Sequence, residues 1–178
     1  MRTFVALDFN DDVEKYSIKI INSFKKAGFV AKWTDPGNFH ITLFFLGEQN
    51  EENVLKTTEK FFSEIEFSEL YLKISRLGFF SKQGVPSVLW LGFEKSEILK
   101  KIFFTGKNIY ETCNYKSGNS FVPHLTLGRL KKVPDDYREF IDNFSFERIV
   151  TKLTGITLYK SVLTKNGPVY TPLIRKNF

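Results

Sequence analysis

Cysteine is almost missing: Cys113 stands alone among 178 residues. No intrachain disulfide and no cysteine-rich zinc site can therefore form, a pattern that fits a reducing compartment. Its expected place is as a small, partly buried side chain. Long apolar runs are missing too. The opening Thr3 to Leu7 run is broken at Asp8, far short of a signal-peptide core, and nothing reaches the roughly 20 residues of a bilayer crossing. The expectation is a soluble, cytoplasmic monomer without membrane contact. No Gly-x-x-x-x-Gly-Lys-Ser/Thr loop occurs, which argues against ATP-driven chemistry. Histidine is scarce as well, and two residues without cysteine make a poor zinc site.

What is present points to a folded protein. Hydrophobic residues make up 42% and aromatics 16%, twenty of them Phe, enough for a substantial core in one domain of two closely packed lobes spanning residues 1–178. A net charge of +6 and a pI near 9.3 favour polyanions such as RNA or phosphorylated small molecules, although a basic surface alone fits a merely solvated face equally well.

The two histidines carry the sharper signal. Residues 40 to 43 read His40, Ile41, Thr42, Leu43, and residues 124 to 127 repeat the pattern as His124, Leu125, Thr126, Leu127. With thirteen Thr and seventeen Leu in the chain, chance would place Thr and Leu so after both histidines in roughly one sequence in twenty thousand. Both stretches read as buried strands. Successive side chains on a strand face opposite sides, so His40 and Thr42 share one face, His124 and Thr126 another, and the aliphatic residues between them turn to a core. A lone strand histidine is more often structural; the duplication reverses that reading.

The flanking pattern supplies the architecture. A first strand over Arg2 to Phe9 precedes a helix carrying Val13, Tyr16, Ile20 and Phe24 on one stripe and stopped by Gly28. A turn follows over Trp33 to Gly37. After the first motif strand come a helix from Glu48 to Glu64, a strand over Phe67 to Phe80, a loop at Gly84 and Pro86, and a strand over Ser87 to Phe93. A helix from Ser96, burying Ile98, Leu99, Ile102, Phe103 and Ile109, is broken between Asn114 and Asn119 before the second motif strand. A short helix over Pro134 to Asn143, a long strand over Ile149 to Leu163 bent near Gly155, and a turn at Asn166-Gly167-Pro168 before a strand over Val169 to Ile174 close the chain. The second half mirrors the first, which predicts two sheet lobes meeting at a central cleft.

Two imidazoles on opposite sides of one phosphorus can divide acid–base work near neutrality without a metal. Thr42 and Thr126, one strand repeat from each ring, can donate hydroxyl hydrogen bonds to phosphate oxygens that gain charge in the transition state. Trp33, Phe39, Phe44 and Tyr159 read first as core, with base stacking as the alternative. Lys32, Lys160 and Lys165 read as solvated surface.

These residues resemble the two-histidine phosphoesterase superfamily, defined by two His-x-Thr-Leu motifs. More closely, the chain is similar to the RNA 2′,3′-cyclic phosphodiesterases, historically called 2′-5′ RNA ligases. The further matches are Arg2 through Asp8, Leu46-Gly47-Glu48, Leu89-Trp90-Leu91-Gly92, Phe121-Val122-Pro123, and the tail from Leu158-Tyr159 through Gly167-Pro168-Val169-Tyr170. The resemblance implies an α+β bilobal fold, two antiparallel sheets around the cleft and helices outside. It also implies metal- and cofactor-independent opening of terminal 2′,3′-cyclic phosphates on RNA ends or nucleotides to 2′-phosphomonoesters. By position His40 would be the general acid and His124 the general base, with Thr42 and Thr126 as phosphate ligands and Arg129 and Tyr159 as further substrate contacts. On an unbroken strand Arg129 would point away from the site, and a bulge at Gly128 would re-aim it. The alternative is an ATP-independent 2′-5′ RNA ligase, or a phosphodiesterase acting on 2′-5′ oligonucleotides, with the same groups. A non-catalytic RNA-binding module would need no paired histidines.

Overall fold

The computed structural model describes residues 1–66, 69–113, 115, 121–165 and 167–178. The chain opens with β1 (Arg2–Phe9) and α1 (Asp11–Lys26), then β2 (Val30–Trp33) and a single 3-10 turn (Pro36–Asn38) that delivers the first motif strand, β3 (His40–Glu48). Helix α2 (Glu51–Ser63), the hairpin of β4 (Leu70–Lys82) and β5 (Val85–Phe93), and helix α3 (Glu97–Thr112) lead to the second motif strand, β6 (His124–Lys132). Helix α4 (Tyr137–Asn143) and the hairpin of β7 (Val150–Thr164) and β8 (Gly167–Asn177) complete the order.

Local chemistry sets the boundaries. Gly28, at φ +87°, takes the left-handed conformation just past α1. The helix expected from Glu48 starts at Glu51 instead, because the Asn50 side chain accepts a hydrogen bond from the Asn53 amide at 3.1 Å. Ser96 caps α3 in the same way through the Leu99 amide. The strand expected from Phe67 begins at Leu70; Phe67 and Ser68 lie outside the described residues, as do Asn166 and, apart from Tyr115, the expected helix break at 114–119. Cys113, expected partly buried, is exposed at the end of α3, and Ile98, expected in the core, is also exposed. Cys113 caps the C-terminus of that helix, and Ile98 lies in its first turn.

Among the described residues the strand pairings are antiparallel, and the strands fall into two groups of four: β3, β1, β7 and β8, and β2, β6, β5 and β4. Two links join the groups into one eight-stranded sheet. Residues Leu70 to Lys73 of β4 pair with β7, and Ile41 of β3 pairs with Leu125 of β6. The second link matters for function, since it brings the two motif strands together at the residue that follows each histidine. β2 went unseen in the sequence because four residues are too few for an alternation to register; its pairing along β6 makes it a strand.

Apolar faces of the sheet are covered by two helix pairs. Phe44 of β3 stacks on Phe103 of α3 and meets Phe61 of α2 edge-on. Phe24 of α1 packs on Phe79 of β4 and against Phe140 and Phe144 of and beside α4. Stacking of Phe103 on Phe121, centroids 4.7 Å apart, ties α3 to the segment leading into the second motif. The opposite face, with both histidines, is left for the cleft.

Candidate active site

Both histidines are held by the same device. His40 Nδ1 lies 2.6 Å from the carbonyl oxygen of Asn38, and His124 Nδ1 lies 2.7 Å from that of Val122. A carbonyl can only accept, so Nδ1 carries the proton in each ring and Nε2 is left for the cleft. Thr42 Oγ1 stands 3.1 Å from His40 Nε2, one strand repeat away on the same face. An aromatic edge braces each ring: Tyr170 against His40, centroids 5.5 Å apart, and Phe80 against His124, 4.9 Å apart.

Both motif strands also carry a bulge just after the threonine. On β3, Thr42 pairs with Ala6 and Phe44 with Val5, so Leu43 is the extra residue. On β6, Thr126 pairs with Trp90 and Gly128 with Leu89, so Leu127 is extra. An added residue reverses the alternation beyond it. Phe45 and Arg129 are thereby returned to the face of the histidines, and both line the cleft. Phe45 is 67% exposed there.

The cleft encloses about 400 Å³ and is lined by His40, Thr42, His124 and Thr126 together, with Arg129 and Lys32 as cations. Burial depresses the pKa of both imidazoles below 6.5. For His40 the bond to Asn38 and the charge of Asp8 work against burial, while the charge of His124 adds to it. For His124 the bond to Val122 is what opposes burial. The charge on one ring is thus felt by the other, as expected of two groups sharing one small site. Among the described residues no three His, Cys, Asp or Glu side chains gather as a metal site.

The sequence matches the family model described as LigT like Phosphoesterase over residues 8–90 and 96–170. The chain belongs to the LigT-like phosphoesterases. Among relatives in this family is the RNA 2′,3′-cyclic phosphodiesterase of Thermotoga maritima, 34% identical over all of this chain and 96% of that one. Another is the RNA 2′,3′-cyclic phosphodiesterase of Archaeoglobus fulgidus, 30% identical over 97% of this chain and 98% of that one. The crystal structure of E. coli LigT complexed with 3′-AMP superposes with a TM-score of 0.78 at 22% identity, covering 99% of this chain and 97% of that one. That likeness concerns the fold.

In this phosphoesterase the four motif residues come together as the sequence predicts, and Arg129, whose direction the sequence left open, joins them. Tyr159 does not line the cleft: its hydroxyl donates to Asp8 Oδ1 at 2.7 Å, and its ring stacks on Phe4, which in turn packs against His40. Phe44 is core; Trp33, half-buried against the core, and Lys32, exposed as expected of a surface lysine, also line the cleft. Phe45, Phe80 and Tyr170 were missed. An aromatic at a strand position reads as core unless the bulge is known, so only the excess of aromatics around each motif signalled them.

Proposed function

We propose that this chain hydrolyses terminal 2′,3′-cyclic phosphates of RNA or nucleotides to 2′-phosphomonoesters, without a metal, its two lobes acting as one catalytic unit. The observation that carries this reading is the pair of histidines, each with Nδ1 fixed to a backbone carbonyl and Nε2 turned to one cleft. Neutral His124 takes a proton from water as its oxygen attacks phosphorus; protonated His40 gives a proton to the 3′ oxygen as the P–O3′ bond breaks. Thr42 and Thr126 donate to the non-bridging oxygens, and Arg129 adds a fixed positive charge beside them. Phe45 offers a flat exposed face suited to a nucleobase. The names of the curated relatives support the same reaction.

Product analysis with a 2′,3′-cyclic nucleotide in excess chelator tests the proposal. The expected product is the 2′-phosphomonoester, formed at an unchanged rate. Loss of turnover in chelator, or a 3′-phosphomonoester as sole product, would overturn it; faster cleavage of 2′-5′ oligonucleotides would favour the alternative specificity.

The pH dependence follows from the ring environments. The base must be neutral and the acid protonated, so kcat/KM is bell-shaped, with limbs belonging to the pair in the free enzyme. Because burial depresses both rings, those limbs lie below 6.5. A bound phosphodiester anion favours the charged imidazoles, so the limbs of kcat lie at higher pH than those of kcat/KM. Initial rates across about pH 5 to about pH 9 check this, and a flat profile contradicts a two-histidine mechanism.

A further inference from the structure

The two halves of the site are near copies, yet their strand registers place a carboxylate beside one ring and a glycine beside the other. On the first side, Gly155 of β7, Asp8 of β1 and His40 of β3 form one row across the sheet. On the second, Arg76 of β4, Gly92 of β5 and His124 of β6 form the corresponding row. The position next to the histidine is therefore a carboxylate in one row and a glycine in the other. The space that a side chain at Gly92 would fill is taken by Arg76 and Trp90, with Arg76 Nε and Trp90 Cζ3 each 2.8 Å from where that Cβ would stand.

Asp8 is buried and firmly placed. Oδ2 accepts from Thr157 Oγ1 at 2.6 Å, and Oδ1 accepts from Tyr159 at 2.7 Å. Arg175 Nε lies 3.9 Å from Oδ2. Directly paired residues of antiparallel strands project to the same face about 5 Å apart, so the carboxylate shares the face of the His40 ring.

We infer that Asp8 is a positioning residue that keeps the proton on His40, and that its exchange for Gly92 in the second row makes the two otherwise equivalent histidines acid and base. This deepens the proposed reaction and rests on it. A carboxylate within reach stabilises imidazolium and opposes the desolvation of the buried ring. His124 has no carboxylate in its row to hold a proton on it, as suits a base. The other titratable groups around His40 do not substitute for Asp8. His124 and Arg129 of β6 and Arg175 of β8 carry positive charge or none, and the tyrosine rings of Tyr159 and Tyr170 are neutral near pH 7. Lys32 and Asp35, of opposite sign, both line the cleft.

With only two histidines, the ring signals can be followed one at a time by NMR, assigned with the His124→Ala variant and requiring no substrate. In Asp8→Asn the His40 titration is expected to move to lower pH while that of His124 stays. The charge-preserving Asp8→Glu is expected to restore part of the shift. Should the asparagine variant fail to fold, Asp8→Ser gives a smaller neutral side chain at the same place and the same expectation. On a 2′,3′-cyclic nucleotide, the basic limb of kcat moves to lower pH in Asp8→Asn. Turnover at about pH 8 falls roughly tenfold, and the loss shrinks as pH falls. An unmoved His40 titration, equal shifts of both rings, or a rate loss independent of pH would overturn the inference. Absence of cyclic-phosphate turnover in the unaltered protein, with His40 still shifting, would instead sink the proposed reaction and leave the Asp8–His40 coupling standing.

Discussion

Replacement of His40 or His124 by alanine is expected to lower kcat on a 2′,3′-cyclic nucleotide by about 10²- to 10⁴-fold, with the fold intact. That loss corresponds to about 2.7 to 5.5 kcal/mol of transition-state stabilisation. Each ring makes one backbone hydrogen bond and borders solvent on the cleft side, so neither anchors the core and unfolding curves should change little. The two variants should differ with leaving group. A nitrophenolate departs without a proton, so His40→Ala is expected to recover much of its rate on a nitrophenyl phosphodiester, and His124→Ala is not. The double variant should be scarcely slower than the worse single one, because acid and base act in one step. Turnover within threefold of the unaltered protein in either variant would remove the histidine pair from the mechanism.

A second large effect is expected far from the chemistry. Phe44→Ala should destabilise the protein by about 3–5 kcal/mol, read as a lower urea midpoint at unchanged slope. Phe44 is fully enclosed, lies parallel to Phe103 with centroids 5.2 Å apart, and touches Phe61 and Tyr110. Those rings belong to α2 and α3, and a Cβ placed at Gly106 of α3 would stand 2.6 Å from Phe44, so the helix has moved in as close as a bare backbone allows. Rings this tightly held cannot collapse into the vacated space, which is why the upper part of the range applies. Phe44 also sits just beyond the bulge that aims Phe45 at the cleft, so any residual relaxation is expected to raise KM before it lowers kcat. A loss under 1 kcal/mol would mean that the helix pair is not fastened to β3 through this ring.

Much of the site was legible because its signal is local. His40 and Thr42, and His124 and Thr126, share faces by the two-residue strand repeat alone, whatever the strands pair with. Helix stripes were legible for the same reason, and failed only at Ile98, an apolar residue in the first turn of α3 that is exposed. The reach of Arg129 could be posed but not answered, since it depends on whether the strand carries an extra residue. Tyr159, read first as core and only by resemblance as a substrate contact, stays out of the cleft because Phe4 comes between its ring and His40, which sequence distance does not reveal.

By itself, then, the sequence determined the chemistry offered to the cleft: two imidazoles, two hydroxyls, and the faces from which they project. Tertiary structure alone decided that both strands bulge after the threonine, and that Asp8 flanks one ring while Gly92 flanks the other. The physical reason is that side-chain alternation is built into the covalent chain, whereas register is chosen by hydrogen bonding and packing between segments far apart in sequence.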